Sequence, residues 1–250
     1  MPDFTHLSLF SGIGGLDLAA EWAGLRTVGQ CEWADYPQAI LQKHWPDVPK
    51  WRDIRTLTKE SFYERTGLGT VDVVSGGFPC QPFSVAGKQK GKEDDRYLWP
   101  EMLRIIRELT PRWVVGENVP GILRIAAADI VKDLEREGYH VVVFDFEAAA
   151  VGALHRRERV AFVAYAEELR VEGRSCEQIL RRAELSTSAV RCRGGHSFWD
   201  NWKAEPDVGR VAHGVPNRVD RLKCLGNAVV PQQFYPIFRA IMEVEQNAEL

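Results

Sequence analysis

The sequence predicts an α/β fold, a mixed but mostly parallel sheet with helices on both faces, and three observations carry that prediction. Short apolar runs alternate with longer amphipathic ones over roughly the first 140 residues. The short runs are apolar on both faces, as strands covered by helices on either side are. Glycine- and proline-rich loops follow those runs, at the strand ends where open parallel sheets hold their ligands.

In chain order, "HLSLF" reads as a strand that runs into "SGIGG". "LDLAAEWAG" reads as a helix with Leu16, Leu18, Ala19, Ala20 and Trp22 mostly apolar and Gly24 as its stop. "TVGQCEW" is the second strand, "PQAILQKHW" a helix and "VDVVSGG" a strand entering the loop "GGFPCQPFS". "LWPEMLRIIREL" puts Leu98, Met102, Ile105, Ile106 and Leu109 on one helical face, and "RWVVGEN" is the strand after it. "HVVVFDFEA" and "RVAFVAYA", a dozen residues apart, suggest an antiparallel pair that closes the sheet edge. Beyond Tyr165 the chain turns polar and arginine-rich, so residues 166–220 read as a small separate lobe. Residues 1–165 form the main body and 221–250 return to it. The last helix, "PQQFYPIFRAIMEVEQ", opens on Pro231, where proline is tolerated, while Pro236 threatens a kink.

The 250 residues, 45% of them hydrophobic, suffice for a sizeable core. No basic and apolar leader pattern precedes Leu7, and no run of about 18 apolar residues occurs, so export and membrane insertion are not expected and the cytoplasm is the predicted location. Cysteines at 31, 80, 176, 192 and 224 form an odd, unpaired set that suits a reducing compartment. Cys192 and His196 lack the further ligands of a tetrahedral metal site, and no metal is expected. The net charge of −3 argues by itself against nucleic acid, but its distribution matters more. Residues 1–150 carry 17 basic and 22 acidic side chains, whereas 151–225 carry 14 and 10, a mild positive bias that an ordinary solvated surface would also show.

The loops carry the chemistry. Pro79 and Pro82 remove backbone donors on either side of Cys80, which therefore sits on a loop. The basic residues after it, Lys88, Lys90, Lys92 and Arg96, favour a thiolate or bind phosphates. Gly12, Gly14 and Gly15 let the backbone approach a ligand, and Glu32, twenty residues beyond Gly12, is placed to accept from ribose hydroxyls. A nucleoside-containing cofactor follows. Asp17 stands where a dinucleotide fingerprint has its third glycine, so S-adenosyl-L-methionine suits the loop better than a pyrophosphate. Glu117 ends an apolar strand and points its carboxyl into the same crevice as a proton donor or hydrogen-bond partner for a substrate ring. Arg157 and Arg159, one residue apart in "HRRERV", would face one side of a strand.

Six ordered blocks, "LFSGIGGLDLA", "CEW", "GGFPCQPFS", "ENVPG", "RRERVAFV" and "LGNAVVP", resemble the motifs of the C5-cytosine DNA methyltransferases over residues 7–165 and 221–240. The resemblance implies a Rossmann-like S-adenosylmethionine-dependent methyltransferase fold with a target-recognition lobe. Phe10 would pack on the adenine, and the Ser11, Gly12, Ile13, Gly14 and Gly15 backbone would cradle the amino-acid end. Glu32 and Trp33 would hold ribose and adenine, Asp53 and Ile54 would border the adenine, and Pro79 and Asn227 would complete the cofactor site. Cys80 is matched to the nucleophile, Glu117 to the group that binds and activates the cytosine edge at N3 and N4, Arg159 to the contact with O2, and Arg157 to an orienting role.

Double-stranded DNA is the implied partner, with the target base flipped out of the stack. Gln81, Ser84, Lys88, Arg96, Arg191, Arg193 and Arg218 are the candidate DNA contacts, while Trp199 and Trp202 read either as contacts or as the core of the lobe. The family also implies monomeric action and a restriction endonuclease as a genetic rather than physical partner. Two departures stand out: His155 replaces the usual glutamine, and the arginine and "LTP"-like run before the last block is absent. RNA cytosine methylation on the same scaffold and a non-catalytic DNA-binding homologue are the alternatives.

Overall fold

The computed structural model describes residues 3–79, 97–167, 169, 176–181 and 217–248. Among the described residues, seven strands form one sheet in the order β3-β2-β1-β4-β5-β7-β6. β1 (Thr5–Leu9), β2 (Arg26–Cys31), β3 (Lys50–Trp51), β4 (Val73–Gly76) and β5 (Trp113–Asn118) run parallel. β7 (Arg159–Ala166) lies antiparallel between β5 and β6 (Tyr139–Phe146), so the expected antiparallel pair closes that edge. With its helices, this is the mixed, mostly parallel sheet that the sequence implied.

The helices are α1 (Gly15–Ala23), α2 (Asp35–His44), α3 (Lys59–Thr66), α4 (Trp99–Leu109), α5 (Ile122–Ile125), α6 (Ala127–Arg136), α7 (residues 176–181), α8 (Arg218–Asn227) and α9 (Pro231–Ala248). Successive strand side chains divide between two cores, because the pleat sends alternate residues to opposite faces. Val74, Val114 and Phe162 join Phe62, Met102, Ile106 and Ile130 of α3, α4 and α6 on one side. Val73, Val115 and Val163 join Ala19, Ala20, Phe234, Phe238 and Ile241 of α1 and α9 on the other.

Leu98 aside, every residue of the apolar face expected in "LWPEMLRIIREL" is buried. Gly24 ends α1 in the left-handed conformation expected of a stop. Pro236 does not end its helix; α9 runs through it. Within the expected lobe, Cys176, Ile179 and Leu180 of α7 pack into the same core as α9 and β7. Apart from α7 and Ala166, Glu167 and Leu169, the expected lobe up to Pro216 lies outside the described residues.

Two titratable groups buried against the sheet, His6 and Asp17, are paired. His6 is fully buried, its ring nitrogens 3.3 Å from Thr27 Oγ1 on β2 and 2.7 Å from Ser75 Oγ on β4, and burial pushes it down to about 3. Asp17, also fully buried, accepts from Ser8 Oγ at 2.9 Å and Gln30 Nε2 at 2.8 Å, and burial raises it to about 6. These bonds fix the start of α1 against the ends of β1 and β2, where the glycine turn emerges.

Candidate active site at the carboxyl edge of the sheet

The parallel strands deliver their loops to one edge, and β7, running the other way, delivers its first residues there too. Phe10 leaves β1 in the left-handed region at φ 53° and is half-buried against the core. Ser11 continues the tie between β1 and β2: its amide donates to the Cys31 carbonyl at 3.0 Å, and its hydroxyl donates to the Ser8 carbonyl at 3.1 Å. The side chain of Ser11 therefore holds the turn and is buried rather than facing a ligand.

The three glycines answer to different needs. Gly12 has φ 55° and open space where a side chain would stand. A Cβ on Gly14, at φ 87°, would lie 2.5 Å from the Trp45 ring, and one on Gly15 would lie 2.7 Å from the Val229 carbonyl oxygen. Close packing demands the second and third, and only Gly12 keeps a backbone face clear. Ile13 between them is half-buried.

Glu32 follows β2 directly. Its carboxylate accepts from the Gly12 amide at 2.9 Å and the Ala34 amide at 2.8 Å, so it is locked to the glycine turn while each oxygen keeps a lone pair. Trp33 is 66% exposed beside it, an unusual setting for so large an apolar ring. Asp53 caps the 3-10 helix Ile54–Thr56 by accepting from the Arg55 amide at 3.0 Å. Ile54 is a core residue, so the expected role at an adenine edge is not on an open surface. The clear backbone at Gly12, the fixed acceptor at Glu32 and the open indole at Trp33 fit a ribose and a flat base.

On the other side of β1, Phe78 packs on Trp99 with ring centroids 5.1 Å apart, and half-buried Pro79 follows. Asn118 donates from Nδ2 to the Phe78 carbonyl at 3.0 Å and accepts the Val119 amide at 3.0 Å, fixing the chain two residues before Cys80. Sequence reasoning missed Asn118, although it stands next to Glu117 in the motif that drew attention.

Glu117 is 8% exposed, and its carboxylate lies 2.7 Å from Arg159 Nε. A Cβ on Gly77 would come within 2.7 Å of its other oxygen, so that glycine makes room for it. Burial raises the Glu117 carboxyl to about 7, against the opposing pull of Arg159 and Arg157.

Arg157 departs from the strand alternation expected of it. β7 begins only at Arg159, and Arg157 lies before it at φ 38°. Its Nη2 donates to the carbonyls of Leu225 at 3.2 Å, Gly226 at 2.8 Å and Ala228. The "LGNAV" segment is thereby drawn to the edge, with Asn227 as the exposed last residue of α8 and Arg218 exposed at its first.

Cys80, Gln81, Ser84, Lys88, Arg96, Arg191 and Arg193 lie outside the described residues. Cys31 is no substitute nucleophile, since burial, Glu32 and Asp53 push its thiol up to about 12.

Residues 4–191 match the family model described as C-5 cytosine-specific DNA methylase. The chain is 35% identical over 170 residues to Type II methyltransferase M.FnuDI of Fusobacterium nucleatum, covering 66% of this chain and 48% of that protein. It is 32% identical over 174 residues to Type II methyltransferase M.HhaI of Haemophilus parahaemolyticus, covering 66% and 50%. A crystal structure of a Spodoptera frugiperda DNMT2 mutant superposes with a TM-score of 0.57 at 23% identity, covering 68% of this chain and 52% of that one. The matched region thus spans about half the length of these proteins.

Proposed function

Since the chain belongs to the C-5 cytosine-specific DNA methylase family, we propose that it methylates C5 of a flipped-out cytosine in a specific sequence of double-stranded DNA. The observation that carries this reading is Glu117, a carboxyl raised to about 7 and paired to one guanidinium at the sheet edge.

S-adenosyl-L-methionine, the methyl donor of this family, supplies an electrophilic sulfonium methyl when bound. Phe10, the Gly12 backbone, Glu32, Trp33 and Asn227 would hold it, with Asp53 and Pro79 around them and Ile54 packed beneath in the core. Glu117 in its protonated form donates to N3 of the cytosine and accepts from the N4 amino group, while Arg159 donates to O2. Drawing charge out of the ring in this way exposes C6 to the Cys80 thiolate. Addition at C6 makes C5 nucleophilic enough to take the methyl, and the C5 proton then leaves to water as the C6–S bond breaks. Because Asn118 fixes the Phe78 carbonyl, the chain enters the Cys80 loop from a defined point beside Glu117.

Flipping the base costs a few kcal/mol, which contacts to the DNA backbone offset. Gln81, Ser84, Lys88, Arg96, Arg191, Arg193 and Arg218 are the residues we assign to those contacts. The protein acts in the cytoplasm and as a monomer, with the expected 166–220 lobe, apart from the core-packed residues 176–181, contributing target recognition.

The test is expression in a host without cytosine methylation, with 5-methylcytosine mapped beside a Cys80→Ser control. Methylation confined to one short motif and absent in the control is expected. Unmethylated DNA from soluble protein that binds S-adenosyl-L-methionine would overturn the DNA assignment.

A further inference from the structure

We propose that Arg157 is a positioning residue that ties the target-base pocket to the cofactor site by holding the 225–229 turn against the glycine turn. The proposal rests on the functional reading above for what the two sites bind, and on geometry for the link between them.

The backbone of Arg157 is fixed first. Gln233, 1% exposed, donates from Nε2 to the Arg157 carbonyl at 3.0 Å and to the Phe146 carbonyl at 3.3 Å. The guanidinium then reaches the carbonyls of Leu225, Gly226 and Ala228 at the carboxyl end of α8. The last carbonyls of a helix lack partners within it and form its negative end, so a cation placed there is favoured both by charge and by hydrogen bonding. One residue further, the Val229 carbonyl presses on Gly15 so closely that no side chain fits between them. Two residues along from Arg157 in the other direction, Arg159 grips Glu117 at 2.7 Å. A path of contacts joined by short stretches of backbone therefore runs from the base-binding carboxyl through Arg159 and Arg157 to the turn that seats the methyl donor.

The link predicts that losing the Arg157 side chain weakens cofactor binding although that side chain faces the carbonyls of the turn and not the cofactor. Titration calorimetry of S-adenosyl-L-methionine, without DNA, is expected to show about tenfold weaker binding for Arg157→Ala, a typical size for coupling between sites. Arg157→Lys, with one donor group restored, falls between it and the wild type, and it carries the test if the alanine variant fails to fold. Arg107→Ala, an exposed arginine of α4 paired with Glu137 and outside both sites, keeps wild-type affinity.

Equal affinity of wild type and Arg157→Ala would overturn the proposal, as would an Arg107→Ala loss of the same size. If the wild type itself binds no S-adenosyl-L-methionine, the functional reading fails, and amide hydrogen exchange over residues 225–229 decides the link alone. Faster exchange there in the variants upholds it; unchanged exchange overturns it.

Discussion

Glu117 owes its chemistry to being taken out of water with one ion-pair partner instead of several. A carboxyl of ordinary value 4.5, raised to about 7, still carries its proton in a good share of molecules at neutral pH. The protonated form is the one that donates to a ring nitrogen, so kcat/KM is expected to fall as pH rises through about 7. Glu117→Gln removes that limb and lowers the rate by about 10²–10⁴-fold, the usual scale for a general acid. A pH–rate profile with the same limb in both proteins would defeat the assignment. Stability follows the same sign: the folded state binds the proton more tightly, so its advantage is full below about 4.5 and is lost as pH rises to about 7. Melting temperatures across that range should fall less steeply in Glu117→Gln than in the wild type.

The glycine turn between β1 and α1 joins two demands in one element, and they can be separated. Gly14→Ala forces a methyl into the Trp45 ring and holds it at φ 87°, so overpacking and backbone strain add to a loss of about 2–4 kcal/mol. Gly12→Ala meets nothing within 4 Å and carries only the strain of φ 55°, roughly 1–2 kcal/mol. Thermal melts with and without S-adenosyl-L-methionine should therefore show a large drop for Gly14→Ala in both. For Gly12→Ala the drop should be small, with most of the ligand-induced stabilisation gone. A Gly12→Ala protein that the ligand stabilises as much as the wild type would remove Gly12 from the cofactor cradle.

At the scale of the whole molecule, α9 brings the end of the chain back onto the sheet. Its Phe234, Phe238 and Ile241 share a core with α1 and β5. Glu245 near its end accepts from Trp113 Nε1 at 2.6 Å and pairs with Arg112 at 2.8 Å while almost wholly buried. Glu245→Ala strands the buried Trp113 indole N–H, while the exposed Arg112 turns to water, and should cost about 2 kcal/mol, or roughly 4–8 °C in Tm for a chain of this size. A shift of under about 2 °C in a thermal melt would mean that α9 docks by its apolar face alone.

The sequence by itself determined the main strands, the helices with a clear apolar stripe, and the type of residue at each loop, because burial imposes a period of two or of 3.6 on a chain read locally. The expected alternation, the stop at Gly24 and the antiparallel edge pair all reappear in the fold. Elements without such a stripe were not legible. β3 is two residues long, α3 buries Phe62 alone and is held at its start by the reciprocal bonds of Thr58 and Ser61, and α8 buries Cys224 alone. Tertiary structure alone decided which residue meets which. Trp45 fixes Gly14, Val229 fixes Gly15, Asn118 anchors Phe78, and Arg157 turns from the expected strand face to the carbonyls of α8. A hydrophobic period says that a residue is buried; only the folded chain says against what.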